Sequence, residues 1–210
     1  ASQRAKARTV MSFALATIVE GHGEVESVPL LQRRIFAQFG VSDISISRPF
    51  RVKRNRVVKP GELERAISQT VRDRADVGAI MVLIDSDDDC PAKLGPDLLE
   101  RAKKETHLPV AVVLAAREFE SWFLGSKESL RGIKGIREDA TAPLNPENIR
   151  GAKEHITRNM ARGYRYLEVD DQATFAEKFD LNAARRCCPS FDKCLREAER
   201  LFLAIGAATR

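Results

Sequence analysis

Hydrophobic positions along the first half of the chain follow two periods in turn. Phe13 to Val19 (FALATIV) is a continuous apolar run, and Gly21, His22 and Gly23 follow it, which predicts a buried strand closed by a turn. Val28, Leu31, Ile35 and Phe39 then recur at helical spacing up to Gly40, with Pro29 placed early in a helix that begins a residue or two before it. Ile44 to Phe50 alternates apolar with polar residues and predicts a second strand. Leu63, Ala66, Ile67, Thr70 and Val71 return to the helical period. Ala79 to Ile84 (AIMVLI) is the most apolar run, the mark of a central strand, and it stops abruptly at Asp85, Ser86, Asp87, Asp88 and Asp89. A helix from about Pro96 to Thr106 and a strand from Val110 to Ala115 complete the series.

This is the pattern of β-α-β units, so the expected class is α/β, with a mostly parallel four-stranded sheet flanked by helices. The alternation ends at Ala115. Beyond Glu118 the signals are helical: Phe119, Trp122 and Phe123 join Leu124 as core, and Gly132 and Gly135 mark a connector. Asn145 and Pro146 begin a helix running through Ile149 and Ile156, and Phe191, Leu195, Ala198 and Phe202 mark a last one. The expected organisation is a disordered extension over 1–11, an α/β core over 12–116, and a helical C-terminal region over 117–210 packed on the core.

Composition refines this picture only slightly. With 210 residues, 43% of them hydrophobic and 31% charged, the chain can fill one core, which excludes wholesale disorder. A net charge of +5 favours a polyanionic partner, with plain basic solubility as the alternative. The four cysteines contain no CxxC pair, which argues against a zinc site, and the pair Cys187 and Cys188 before Pro189 reads as packing, with a redox role as the alternative that no neighbouring motif supports. No secretory segment and no apolar run approaching roughly 20 residues is present, so a cytoplasmic protein with reduced thiols and no membrane association is expected.

The acidic residues carry the candidate chemistry. In an open α/β sheet the carboxyl ends of the strands converge on the ligand crevice. Glu20 follows the first strand and Asp85 the third, so their carboxylates meet if those strands are neighbours; Asp87 and Asp89 continue at every second position. Two carboxylates at about 4 Å repel by roughly 4 kcal/mol at an effective dielectric of 20, so such a cluster calls for a cation, and hard oxygen ligands suit Mg²⁺ or Mn²⁺. The bland alternative is a solvated turn capping the next helix. Glycine-rich nucleotide motifs fail on residue identity: a Rossmann fingerprint needs a third Gly where Glu26 stands, and no GK[ST] occurs.

Ile18 to Glu24 (IVEGHGE) and Leu83 to Asp89 (LIDSDDD), separated by two β-α steps, resemble the paired signature of the TOPRIM superfamily. The chain is also similar to small TOPRIM-like proteins of unknown function that accompany ABC-type ATPases, and through them to the nuclease half of OLD-family proteins. This resemblance covers about residues 12–116. It implies Glu20 as general acid/base or metal ligand, Asp85 and Asp87 as Mg²⁺ ligands, Asp89 as an auxiliary ligand, and Glu118 and Glu120 before the aromatic helix as further acidic positions. It also implies a metal-dependent nuclease or nuclease-like subunit, paired with an ABC-type ATPase. Primase and topoisomerase modules are missing, and no lysine is marked by motif as a transition-state partner.

The rival reading is a non-catalytic module that keeps the scaffold and binds nucleic acid or a partner; action on a small phosphorylated compound is a third. Arg48, Arg51, Lys53, Arg54, Arg56 and Lys59 put six cations in twelve residues after the second strand, on the sheet edge of the acidic cluster, and are candidate phosphate contacts. Glu24 is expected to serve the helix dipole, and His22 to be an exposed turn residue. The oligomeric state is left open by the sequence.

Overall fold

The structure is a computed structural model that describes residues 14–41 and 44–208; Phe13 and the expected extension over 1–11 lie outside the described residues. Its first half contains β1 (Ala14–Val19), α1 (His22–Gln38), β2 (Ser45–Ile46), β3 (Phe50–Arg51), α2 (Arg54–Val57), α3 (Glu62–Asp73), β4 (Val77–Asp85), α4 (Pro91–Glu105) and β5 (Val110–Ala115). The second half is helical: α5 (Ser121–Leu124), two short 3₁₀ turns, α6 (Ala152–Arg158), α7 (Glu168–Lys178), α8 (Leu181–Cys187) and α9 (Pro189–Ala208).

The sheet is parallel in every pairing, and β1 lies between β4 and the lane shared by β2 and β3. What reads as one strand from Ile44 to Phe50 is two short ones. Ala14 and Leu15 pair with Ser45 and Ile46, and Ile18 and Val19 pair with Phe50 and Arg51. Pro49 stands in the break, where a residue without an N–H cannot continue a ladder. The four expected lanes are therefore filled by five strands. β4 is central, as its apolar run predicts.

Side chains alternate across this sheet into two cores. Leu15, Val19, Ala79, Met81, Leu83, Ala111 and Val113 face α1 and the C-terminal helices, where Phe119, Trp122, Phe123, Phe175, Phe179 and Phe191 are fully buried. Ala16, Ile18, Ile80, Val82, Ile84, Val112 and Leu114 face α3 and α4. The helical region 117–210 thus supplies one of the two covering layers. It does not form a separate body, because it shares with α1 the covering of the first face of the sheet.

Helix boundaries depart from the periodic reading. α1 starts at His22, so Pro29 sits well inside it and leaves the Val25 carbonyl without its helical donor. α4 starts at Pro91, and Pro96 is internal. The helix expected from Asn145 through Ile156 is a 3₁₀ turn over Pro146–Asn148 and a separate α6, divided at Gly151, whose φ of +66° takes the chain out of helical space. α7 and α8 were not foreseen at all. Cys188 and Cys194 are buried as packing residues, with Cys187 half-buried against the Gly125 carbonyl. No described helix is long and apolar enough to cross a membrane.

Candidate functional site

Because β1 and β4 are hydrogen-bonded neighbours, Glu20 leaves one strand beside the place where Asp85 ends the other. Asp85 is buried, and its Oδ1 accepts the Phe119 N–H at 2.7 Å, which ties the end of β4 to the loop after β5. That loop delivers Glu120, 1% exposed, whose Oε1 accepts from the Tyr166 hydroxyl at 2.9 Å and from Gln172 Nε2 at 3.2 Å. Glu24, also buried, accepts the Gly21 N–H at the start of α1. Four carboxylates from four segments thus share one partly dry space. Oε2 of both Glu20 and Glu120 is buried without a hydrogen-bond partner.

Their protonation reflects this crowding. Burial first, and the Asp87 carboxylate second, push Glu20 up to about 7, against the pull of Arg54. Burial likewise pushes Glu24 up to about 7, despite the Gly21 N–H, with Glu20 and Glu168 adding to the rise. Glu120 reaches about 7 through burial, moderated by Lys153. Asp85 is raised well above the usual range by burial and then by Glu24, Glu20 and Glu120. Groups poised near neutrality in this way are the ones suited to take and give protons.

Two cations answer the cluster. Lys153, on α6, pairs with Glu168 and stands 3.9 Å from Glu120; burial opposes its charge, but Glu120 and Glu168 hold its pKa above the ordinary lysine range. Arg54, at the start of α2, donates to the Asp85 carbonyl at 2.8 Å and to Asp89 Oδ2 at 2.5 Å, and lies within 4.0 Å of Glu20 and 3.8 Å of Asp87. Lys153 is the lysine that no motif marks. It lies far along the chain from the acidic runs, and only the packing of α6 brings it to the sheet edge, so the sequence holds no local signal for it. Tyr166 and Glu168 likewise carry no motif signal and meet the cluster only through packing, Tyr166 on Glu120 and Glu168 on Lys153.

Several expectations change here. Asp89 turns to Arg54 and away from Asp85, and Asp87 is an exposed residue at the turn's left-handed position, φ +49°. The three alternating carboxylates therefore do not share one partner: Asp87 and Asp89 reach Arg54 at 3.8 and 2.5 Å, whereas the Asp85 carboxylate accepts the Phe119 N–H. Glu118 and Glu120, inseparable by sequence, part company: Glu120 is in the cluster, and Glu118 Oε1 caps α6 through the Ala152 N–H at 2.9 Å. Glu24 both serves its helix and belongs to the cluster. His22 is exposed, as expected.

The basic stretch also divides. Arg54, with a side chain 13% exposed, is consumed by the acidic turn and is a structural cation. Arg51 Nη1 donates to the Glu20 carbonyl at 3.2 Å, and Arg56 pairs with Glu62 at 2.7 Å. Arg48 lies at the surface beside Glu26, and Lys53 and Lys59 are exposed. Replacing Lys53 and Lys59 by Gln is accordingly expected to lower the slope of log affinity against log salt for nucleic acid by about 0.7–0.9 per lost contact. Arg54→Gln should instead lower the melting temperature. An unchanged slope in the double-lysine variant would remove this face from nucleic-acid binding.

Among the described residues, no group of three or more His, Cys, Asp or Glu side chains is gathered closely enough to hold a metal ion. The donor chemistry nonetheless fits a hard divalent cation: the cluster offers oxygen alone, two of its buried oxygens lack partners, and its members repel one another. Coordination would need Arg54 to yield and the carboxylates to turn inward. A family model described as a domain of unknown function, DUF4276, matches residues 19–198, a span that includes the carboxylate turns and the helices carrying Lys153 and Glu168. No curated protein matches the chain.

Proposed function

The chain belongs to the DUF4276 family, whose description names no activity, and from the chemistry of the site we propose that it is a metal-dependent nuclease, or nuclease-like subunit, of TOPRIM type. The observation that carries this reading is the convergence of Glu20, Glu24, Asp85 and Glu120 at the carboxyl edge of a parallel sheet, three of them raised to about 7 and Asp85 well above its usual range, around a charged lysine. Glu20, Asp85 and Asp87 would hold Mg²⁺ or Mn²⁺, with Glu120 alongside. An ion held there would offset the mutual repulsion of the carboxylates and would supply Lewis-acid chemistry to a phosphodiester and a water. Where Glu20 is not itself bound to the ion, its carboxylate would take the proton of the water that attacks phosphorus while the departing oxygen takes one from solvent, and Lys153 would face the negative charge that develops on the phosphate oxygens. An ABC-type ATPase as partner belongs to this proposal through the resemblance alone, with the helical layer as the part available to dock it.

One observation favours the rival, a non-catalytic binding module. Arg54 already lies among Glu20, Asp87 and Asp89, where an internal cation can replace a metal for good. Metal titration separates the two. Mg²⁺ or Mn²⁺ should bind and stabilise the fold by about 2.7 kcal/mol at a hundredfold excess over the dissociation constant. Asp85→Asn with Asp87→Asn should abolish that gain. Absence of calorimetric binding at millimolar metal would sink the nuclease reading; binding without cleavage of DNA or RNA would favour the module.

A further inference from the structure

One carboxylate of the acidic turn has no place in the proposed site. Asp88 Oδ1 lies 2.7 Å from Arg150 Nη1 and 3.3 Å from Arg117 Nη1, so two guanidinium groups share a single carboxylate oxygen. The three residues line a surface pocket together with Asp87, Glu118 and Gly151.

Backbone ties fix this pocket to the candidate site. The Asp87 N–H donates to the Arg117 carbonyl at 3.0 Å, and the Arg117 N–H donates to Ser86 Oγ at 2.8 Å. Asp87 and Arg117 both hold positive φ, +49° and +61°, a conformation that side-chain-bearing residues seldom adopt without a structural reason. Arg150 immediately precedes Gly151 and α6, the helix that carries Lys153.

The other acids of the pocket have their own partners. Glu118 caps α6, and Asp87 stands 3.8 Å from Arg54. Asp88 is therefore the anion facing Arg117 and Arg150. Its side chain is 71% exposed and that of Arg150 69%, so these pairs are screened by solvent and exchange readily. Planar guanidinium groups match the oxygens of a phosphate better than they match one oxygen of a carboxylate.

We propose that Asp88 is an internal stand-in for a substrate phosphate: Arg117 and Arg150 bind a backbone phosphate of a nucleic acid beside the carboxylate cluster, and Asp88 gives up its place to it. The choice of nucleic acid rests on the proposed function; the anion pocket itself rests on the two arginines.

The test measures binding of a short fluorescent single-stranded DNA and of its duplex to the full chain, with a chelator present so that neither metal nor cleavage intervenes. Asp88→Asn should tighten binding of at least one of them by about threefold to tenfold, since a competing anion is lost. Arg150→Gln, and Arg117→Gln with Arg150→Gln, should weaken it and lower the log-log salt slope by about 0.7–0.9 per arginine. All three lie at the surface, and Arg150→Gln alone suffices if the double variant melts early. The proposal is overturned if Asp88→Asn binds no tighter than the wild type, if the arginine variants keep the wild-type slope, or if the wild type binds neither DNA at low salt. Metal binding and cleavage are scored separately. Opposite-signed effects without metal binding would leave the phosphate pocket standing and remove the nuclease, whereas cleavage with unchanged affinities would do the reverse.

Discussion

Glu20→Gln is expected to cut metal-dependent cleavage by about 10²- to 10⁴-fold while leaving the fold intact, the range that general acid/base assistance supplies. Gln keeps the shape of the side chain and removes its charge and basicity. Glu20 is held near neutrality by burial and by Asp87, so its ionised form is already penalised in the folded protein, and a neutral isostere relieves that penalty. The variant should therefore melt at or above the wild-type temperature at pH 8 without metal, even as activity collapses. This combination distinguishes a functional carboxylate from a cap, whose loss costs about 1 kcal/mol of stability and no chemistry. Equal metal-dependent cleavage by wild type and variant would exclude Glu20 from the reaction.

The second large effect is on stability against pH. Glu20, Glu24 and Glu120 each have a folded pKa of about 7 against 4.5 in the unfolded chain. Between those values the folded protein holds more protons than the unfolded one, so these groups make stability fall as pH rises from about 4.5 through 7, with the raised Asp85 acting in the same sense and the lowered His155 opposing it. For the fully buried Glu120 alone the rise from 4.5 to about 7 corresponds to something on the order of 3 kcal/mol, and the three together to less than three times that, because they titrate as a coupled set. Glu64, held down to about 2 by its bidentate bond to Arg101, works in the opposite sense and only at lower pH. Thermal melts in chelator should accordingly show the highest melting temperature near pH 5 and a decline to pH 8, with Glu120→Gln flattening the decline. Saturating Mg²⁺ should reverse the trend above pH 7, since ligation favours the deprotonated carboxylates. A metal-free melting temperature that climbs steadily from pH 5 to 8 would refute this account of the cluster.

Those two expectations draw on different depths of the sequence. Glu20 and Asp85 were legible because each directly follows or ends an apolar run, and strands that are parallel neighbours in a sheet, as β1 and β4 are, bring such positions to one edge. Arg54 and Lys153 were not. The role of Arg54 follows from a short helix that the basic run gives no reason to expect, and Lys153 reaches the site only through the packing of α6. The strand series was readable because burial on both faces leaves a continuous apolar signature. The C-terminal helices were readable only in part, because α8 is seven residues long and α7 buries only Asp171, Gln172, Phe175 and Ala176, so polar residues share its inner face and blur the apolar period. Pro29 and Pro96 misled in one direction: a proline within a helix costs stability but does not forbid it when tertiary packing holds both flanks, as the buried Val28, Leu31 and Leu98 do here.

The broken lane beside β1 bears on how copies of this chain can associate. An outer strand with a full row of free backbone groups is a template on which a second molecule can extend the sheet. Here that border is two fragments of two residues each, with Pro49 between them, so it offers too short and too interrupted a ladder for another chain to follow. The opposite border, β5, is continuous over six residues, but Arg200 on α9 already donates to its Val110 carbonyl at 2.7 Å. Among the described residues the β2 and β3 margin is thus poorly suited to edge-to-edge pairing, and the β5 margin has one of its carbonyls already taken by a side chain of its own chain.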